Sequence, residues 1–171
     1  MADNTESFST PPADQLPPSA RRVAESLAAV RADGRVVVLT EPVRTAQAAA
    51  TALGCEVGAI ANSLVFLADG KPVLVLTSGR HRVDTAHVAG LLGVAALDRA
   101  DPPSVRAATG QAIGGVAPLG HPAPVRTLVD EALADYPTVW AAGGTPDTLF
   151  PTTFDELVRI TGGKPATVAR E

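Results

Sequence analysis

Apolar residues in this chain fall into short runs separated by polar turns, a pattern that predicts β-strands. Residues 35–40 contain four consecutive apolar residues, typical of a strand that is covered on both faces of its sheet. Residues 63–68 and 72–77 form two more runs, and the Asp69-Gly70 dipeptide between them favours a hairpin turn. Because a hairpin pairs its strands antiparallel, we expect a mixed sheet.

Segments with helical spacing of apolar residues alternate with these strands. Asp84 and Asp101 stand where N-caps are expected, and Gly54 and Gly93 stand where glycine ends a helix. The predicted helices cover residues 19–32, 45–53, 84–92, 101–109 and 154–160, with a helical turn at 130–134 and further strands at 125–129, 138–142 and 166–169. Short strands between capped helices indicate an α/β (α+β) domain with a mixed sheet.

The first 18 residues differ in composition from the rest of the chain. They are rich in Ser, Thr, Pro, Asp and Asn, and Phe8 and Leu16 are almost their only large apolar residues. Such a segment buries too little surface to offset the entropy lost on ordering. We therefore predict a disordered N-terminal tail over residues 1–18 and a single domain over residues 19–171, whose length and 46% apolar content suffice for one core.

Charge and composition restrict the classes of partner. The formal net charge is −4 and aromatic residues make up 4% of the chain, whereas proteins that track nucleic acid concentrate cations and aromatic stacking surfaces. An extended nucleic-acid surface is not expected, although contact with a nucleic-acid end is compatible. Cys55 is the single cysteine, and neither a signal peptide nor an apolar run long enough for a membrane span is present. These features predict a cytoplasmic protein without membrane contact.

Residues 112–122 combine three glycines and two prolines around His121, a mixture unsuited to a regular strand or helix. Glycine permits close backbone approach and positive φ, and proline fixes φ, so we expect a rigid loop that presents its own backbone groups. Two interpretations stay open for the loop. It is either a tight connection between strands or the part of the chain that holds a ligand.

Other candidate chemistry is weak. His81, Asp84 and His87 have near-helical spacing, but Asp84 serves better as an N-cap, and the neighbouring arginines would repel a cation. Cys55 follows a helix C-terminus, where the helix dipole raises a thiol pKa. No serine-hydrolase elbow, phosphate-binding P-loop or dinucleotide fingerprint is present. We expect no metal and no cofactor.

Several short motifs together resemble the YbaK and prolyl-tRNA-synthetase-associated editing domains, which are aminoacyl-tRNA deacylases. The matching segments are Thr45-Ala46, Ser63-Leu64-Val65-Phe66, Leu76-Thr77-Ser78-Gly79, Arg82-Val83-Asp84, Gly114-x-x-x-Pro118 followed by Gly120-His121, Val129-Asp130-Glu131, Ala142-Gly143-Gly144 and residues 157–163. The resemblance implies a mixed, partly closed sheet wrapped by helices. It also implies a free-standing enzyme that acts in trans on the acceptor end of a mischarged tRNA, with a synthetase as a candidate partner.

The resemblance also supplies site residues. Family members generally have a lysine directly before the Ser-Leu-Val-Phe strand, where this chain has Asn62. The implied catalytic residues are Asn62, Gly114 and His121, and the implied substrate-binding residues are Thr45, Gly115, Val116, Pro118, Gly120, Asp130, Gly143 and Gly144. Because an amide carries no charge, a second interpretation stays open, in which the fold retains an aminoacyl or nucleotide pocket without catalysis. The sequence leaves the oligomeric state and the edited amino acid open.

Overall fold

The structure, a computed structural model, describes residues 7–169. Five α-helices are present in this range: α1 (Pro18–Ala29), α2 (Ala46–Leu53), α3 (Thr85–Leu92), α4 (Pro102–Thr109) and α5 (Phe154–Thr161). The strands of the same range are β1 (Phe8–Ser9), β2 (Val37–Leu39), β3 (Ile60–Ala68), β4 (Lys71–Ser78), β5 (Leu97–Arg99), β6 (Arg126–Asp130), β7 (Val139–Ala142), β8 (Thr148–Thr152) and β9 (Lys164–Ala166). Three 3-10 helices lie at Ala13–Gln15, Val57–Ala59 and Glu131–Asp135.

These strands form one mixed sheet in the order β1-β2-β8-β7-β3-β4-β6-β9, with β5 also paired to β3. The β3–β7, β4–β6 and β6–β9 pairs are parallel, and the remaining pairs are antiparallel. The predicted α/β class and mixed sheet are therefore confirmed. No helix within residues 7–169 has both the length and the apolar character needed to span a membrane.

Local sequence signals fix most element ends. Asp69 (φ 49°) and Gly70 (φ 83°) form the two-residue turn of the β3–β4 hairpin, which is the predicted turn. The Thr45 hydroxyl accepts a hydrogen bond from the Ala48 amide and caps α2, and Gly54 ends that helix with φ 70°. Asp84, Asp101 and Thr153 cap α3, α4 and α5 in the same way.

The central strand β3 pairs with two different strands along one of its edges. Ile60 and Ala61 pair with β7, and Phe66 to Ala68 pair with β5. Between them, residues 62–65 have no strand partner on that edge within the described part of the chain; only Ala100 donates a backbone hydrogen bond there, to the Val65 carbonyl. The sheet therefore forks at the middle of β3.

Helices cover both faces of the sheet. The largest buried cluster packs α1, α4 and α5 against one face, through residues that include Val23, Val105 and Leu157. On the other face, α3 packs against the β3–β4 half, and α2 packs against β2 and β8. The fork lies near the centre of the sheet, because β3 stands between β7 and β4 in the strand order.

The N-terminal segment differs from its prediction. Residues 7–18 are not a disordered tail: Phe8 and Ser9 pair with Leu39 and Val38, and Leu16 is 3% exposed within the largest cluster. The few apolar side chains of this segment are enough because each occupies a site that the folded domain already provides. The domain therefore begins before residue 19, and residues 1–6 of the predicted tail lie outside the described residues.

Three smaller predictions are also corrected. The first helix was predicted over residues 19–32, with Ser19 as its N-cap, but α1 covers Pro18–Ala29 and has no side-chain cap. Proline suits the first turn because its missing donor is not needed there. The last strand is Lys164–Ala166 rather than residues 166–169. Strands β5 and β8 were absent from the sequence interpretation, because Leu97–Arg99 carries two charges and Thr148–Thr152 contains a proline.

Replacement of Leu16 by alanine tests whether the N-terminal segment belongs to the domain. We expect Leu16→Ala to lower the free energy of unfolding by about 2–3 kcal/mol, since a buried leucine loses its transfer energy and leaves a cavity. Urea denaturation measures this change. Gln15→Ala, at an exposed neighbour, is the control and should change the free energy by less than about 0.5 kcal/mol. If both variants changed the free energy of unfolding equally little, residues 7–18 would not be part of the folded domain.

Candidate functional site

A cavity of about 250 Å³ opens at the fork of the sheet. Its walls come from the residues before and within α2, the middle of β3, the start of α4 and two loops at 113–116 and 142–149. The lining residues are Val43, Arg44, Thr45, Ala46, Ala49, Ile60, Ala61, Asn62, Ser63, Leu64, Val65, Arg99, Ala100, Val105, Ile113, Gly114, Gly115, Val116, Ala142, Thr145, Pro146, Thr148 and Leu149. Five predicted site residues are thus brought together: Asn62, Thr45, Gly114, Gly115 and Val116.

The unpaired edge of β3 contributes backbone groups to this cavity. In an antiparallel strand, alternate residues direct their N–H and C=O groups to the same edge. The Val65 carbonyl points to the forked edge, where it accepts from Ala100, so Ser63 directs its backbone groups to that edge as well. The Ser63 hydroxyl oxygen is also buried and has no hydrogen-bond partner in the structure. Ser63 therefore offers its backbone N–H and C=O at the cavity, next to a buried hydroxyl without a partner.

The loop between α4 and β6 is held from inside by two side chains that bind the backbone N–H and C=O of one residue. Gln111 is buried, and its Oε1 accepts from the Ala117 amide at 2.7 Å. The Nε2–H of His121 donates to the Ala117 carbonyl at 2.8 Å. Burial of the imidazole lowers the pKa of His121, which keeps the ring neutral near pH 7. These two hydrogen bonds fix the glycine-rich segment that lines the cavity.

Gly114 and Gly115 need to be glycine for different reasons. Gly114 has φ +100°, a conformation that side chains rarely adopt, and a Cβ there would meet only Pro146 at 3.8 Å. A Cβ on Gly115 would lie 2.4 Å from the Thr145 carbonyl carbon and 2.6 Å from its Cα. Gly115 therefore allows the two cavity loops to touch through their backbones, whereas Gly114 provides a backbone turn.

The loop at 142–149 is organised by threonine hydroxyls. The Thr148 Oγ1 accepts from the Thr145 amide at 3.1 Å and lies 2.8 Å from the Thr145 Oγ1. The Thr145 hydroxyl in turn donates to Asp147 at 2.7 Å. Sequence reasoning missed both threonines as cavity residues, although the Thr-Pro-Asp-Thr order is a hydrogen-bonded turn signal. Ser63, Arg44 and Arg99 were missed as well, because their positions at the fork follow from strand pairing.

Six predicted site residues lie outside the lining: Pro118, Gly120, His121, Asp130, Gly143 and Gly144. His121 binds the loop backbone, as described above. Gly143 and Gly144 allow close packing, since a Cβ there would lie 2.9 Å from the Thr148 hydroxyl and from the Ser19 carbonyl oxygen, respectively. His121 and Gly143 therefore support the two cavity loops without lining the cavity themselves.

Asp130 stands two strands away from the cavity-lining edge and is 2% exposed. Its Oδ2 accepts from the Ser78 amide at 2.9 Å and from Thr77 at 3.3 Å, and lies 2.9 Å from His81 Nδ1. Its Oδ1 accepts from the Ala132 amide and caps the following 3-10 helix. Asp130 thus joins the ends of β4 and β6, which accounts for its burial without a ligand.

The remaining candidates also have structural surroundings. His81 lies beside Asp130, and Asp84 caps α3 through the His87 amide. Among residues 7–169, no group of three or more His, Cys, Asp or Glu side chains is placed to hold a metal ion. Burial, and secondarily Glu56, raises the pKa of the Cys55 thiol, which disfavours the nucleophilic thiolate.

Comparisons with known proteins agree on one kind of domain. The family model described as "Aminoacyl-tRNA editing domain" matches residues 40–160. The proline–tRNA ligase of Leuconostoc citreum is 36% identical over 88 residues, which cover 52% of this chain and 15% of the ligase. That of Nitratidesulfovibrio vulgaris is 30% identical over 116 residues, covering 68% of this chain and 19% of the ligase. The chain thus spans less than one fifth of these relatives.

Solved structures match over nearly the whole chain. A crystal structure of a candidate trans-editing enzyme for prolyl-tRNA synthetase aligns with a TM-score of 0.85 and 45% identity, covering 92% of this chain and 100% of that one. A second structure, from work on grafting epitopes onto scaffold proteins, aligns with a TM-score of 0.86 and 43% identity, covering 91% and 100%. The overall fold of this chain is therefore shared with both structures.

Alanine at Gly115 and at Gly114 separates the two glycine roles. We expect Gly115→Ala to lower the free energy of unfolding by about 1–3 kcal/mol through overpacking against Thr145. Gly114→Ala should cost about 1 kcal/mol through its positive φ. Thermal denaturation measures both. Gly90→Ala is the control, because Gly90 lies in α3 with open space around its Cβ position, and helix propensity should stabilise this variant. A Gly115 variant as stable as wild type would contradict the close loop contact.

Proposed function

The chain belongs to the aminoacyl-tRNA editing domain family, and we propose that it is a trans-acting deacylase of mischarged tRNA. The reaction is hydrolysis of the ester between an amino acid and the terminal ribose. Its relatives among proline–tRNA ligases and the near-complete match to a candidate trans-editing enzyme for prolyl-tRNA synthetase support a tRNA of the prolyl system as the substrate. We place the activity in the cytoplasm, with the acceptor end as the part of the tRNA that is bound and the synthetase as a candidate partner.

The observation that carries this proposal is the chemical character of the cavity. Its lining contains no Cys, His, Asp or Glu, so neither a thiolate nor a side-chain general base faces the bound ester. It does contain backbone groups on two sides, at the forked edge of β3 and in the Gly114–Val116 segment. Ester hydrolysis then depends on positioning and on oriented hydrogen-bond donors, which are able to stabilise the charge that develops on the carbonyl oxygen.

We assign the two walls different roles. The Gly114–Val116 backbone positions the acyl group and the attacking water, and its rigidity follows from the bonds that Gln111 and His121 make to Ala117. Water adds to the ester carbonyl carbon, the bond to the ribose oxygen breaks, and the ribose oxygen leaves with a proton. In the absence of a side-chain base, the neighbouring ribose hydroxyl assists this proton transfer. Ser63 hydrogen-bonds the aminoacyl group from the opposite wall.

Asn62 distinguishes the proposal from its alternative. The family resemblance expects an ammonium at this position, and Asn62 is an exposed amide on the cavity wall. In the alternative, the cavity binds an aminoacyl or nucleotide group without hydrolysing it. The amide retains both donor and acceptor capacity, which supports a hydrogen bond to the substrate in place of an ion pair.

Deacylation of a panel of mischarged prolyl-type tRNAs tests the function, with Asn62 as the probe. We expect wild-type protein to hydrolyse at least one mischarged ester faster than buffer does. Asn62→Ala should lower kcat/KM by about tenfold to a hundredfold, since an unpaired polar partner costs roughly 1–3 kcal/mol. Asn62→Lys should retain or raise activity because it restores the family residue.

Lys71→Ala is the matched control, because Lys71 is exposed at the opposite end of the β3–β4 hairpin and should leave turnover unchanged. Hydrolysis by Asn62→Lys together with none by wild-type protein would establish the binding module instead. A folded Asn62→Ala protein with wild-type turnover would show that this amide contacts nothing in the transition state.

Ser63→Ala tests the forked edge in the same assay. We expect kcat/KM to fall by about tenfold with the free energy of unfolding almost unchanged, because the lost hydroxyl has no partner in the structure itself. Ser26→Ala, on α1 outside the cavity, is the control. A stability loss of more than about 1 kcal/mol without an activity change would assign Ser63 a role in the fold alone.

A further inference from the structure

The charged side chains that line the cavity are positive, although the chain as a whole is acidic. The chain carries 18 acidic and 14 basic residues other than histidine, yet the cavity lining contains Arg44 and Arg99 and no carboxylate. Asp147 accepts from the hydroxyl of the lining residue Thr145 but does not itself line the cavity, so both charged side chains of the lining are cationic. Two exposed guanidinium groups at a concave surface attract anions and raise their local concentration.

The two arginines reach the cavity from independent elements. Arg44 directly precedes the Thr45 cap of α2, and Arg99 is the last residue of β5. The Arg99 guanidinium lies over the Phe66 ring, 5.7 Å from its centroid, and this contact restrains the Arg99 side chain. Asn62 lies on the same cavity wall and contributes no charge, so the positive charge of the site comes from these arginines.

Arginine binds carboxylate and phosphate groups alike, and the acceptor end of a tRNA supplies phosphates. The planar group of arginine donates several hydrogen bonds in a fixed fork that matches phosphate oxygens. We infer that Arg44 and Arg99 bind the phosphodiester groups next to the terminal adenosine of the tRNA, and so supply the positive charge that Asn62 lacks. This inference rests on the proposed function for the identity of the ligand. In this inference the phosphates supply binding energy through the arginines. Ester hydrolysis takes place between the uncharged groups of the β3 edge and the Gly114–Val116 segment.

Binding of a ligand that lacks the aminoacyl ester separates this inference from catalysis. The probe is the 5′-phosphorylated trinucleotide CCA, the sequence that ends tRNA, titrated into wild-type protein, Arg44→Gln and Arg99→Gln at 25 to 200 mM KCl. We expect each substitution to weaken binding by about fivefold to tenfold and to reduce the slope of log affinity against log salt by about 0.7, the value for one phosphate contact on a single strand. Lysine at either position should recover part of the affinity.

Arg126→Gln is the matched control, because Arg126 is exposed at the start of β6 and does not line the cavity. It should bind CCA as wild-type protein does. If both glutamine variants also bind CCA with wild-type affinity and salt slope, the inference is overturned. Inorganic phosphate that binds as tightly as CCA would overturn the assignment to a nucleic-acid end in favour of a free-phosphate site.

The deacylation panel described above keeps the two proposals apart. A protein that binds CCA through both arginines but hydrolyses no mischarged ester supports this inference and overturns the deacylase proposal. A protein that hydrolyses a mischarged ester, but whose affinity for CCA is unchanged by both substitutions, supports the deacylase proposal and overturns this inference. Melting temperatures of the variants should equal that of wild type, since both arginines are exposed.

Discussion

The structure depends on the way in which one edge of β3 is divided between two partners. A strand edge that pairs along its whole length has no free backbone groups, and one that pairs nowhere invites aggregation. Here β7 occupies the first two residues and β5 the last three, so that a short unpaired stretch remains inside the domain. The loops at 113–116 and 142–149 close over this stretch. The cavity is thus a consequence of sheet topology, and its polar walls are largely main chain.

Local signals accounted for much of the fold. The hairpin turn at Asp69-Gly70 and the caps at Asp84 and Asp101 depend on residues adjacent in sequence, and the structure places each where it was expected. Elements that depend on distant partners were missed. Two of the three residues of strand β5 are charged, and the strand forms because it pairs with an edge of β3. Leu16 is ordered because it packs into a core formed by residues far from it in sequence.

The site was predictable to a similar degree. The family resemblance named the glycine-rich loop and Asn62, and both line one cavity. The resemblance also named His121 and Asp130, yet they bind the loop backbone and the strand ends, respectively. Sequence order does not tell whether a polar side chain faces a cavity or the protein behind it. Ser63 and the two arginines became visible only when the pairing of β3 was known.

The sequence separation of the segments that line the cavity determines when the cavity forms during folding. Its lining extends from residue 43 to residue 149 and is contributed by segments that are adjacent only after β3 has met β4, β5 and β7. Contacts between residues so distant in sequence close late, since the entropy of loop closure must be overcome first. A chain still emerging from the ribosome therefore lacks this site until β8 has been synthesised.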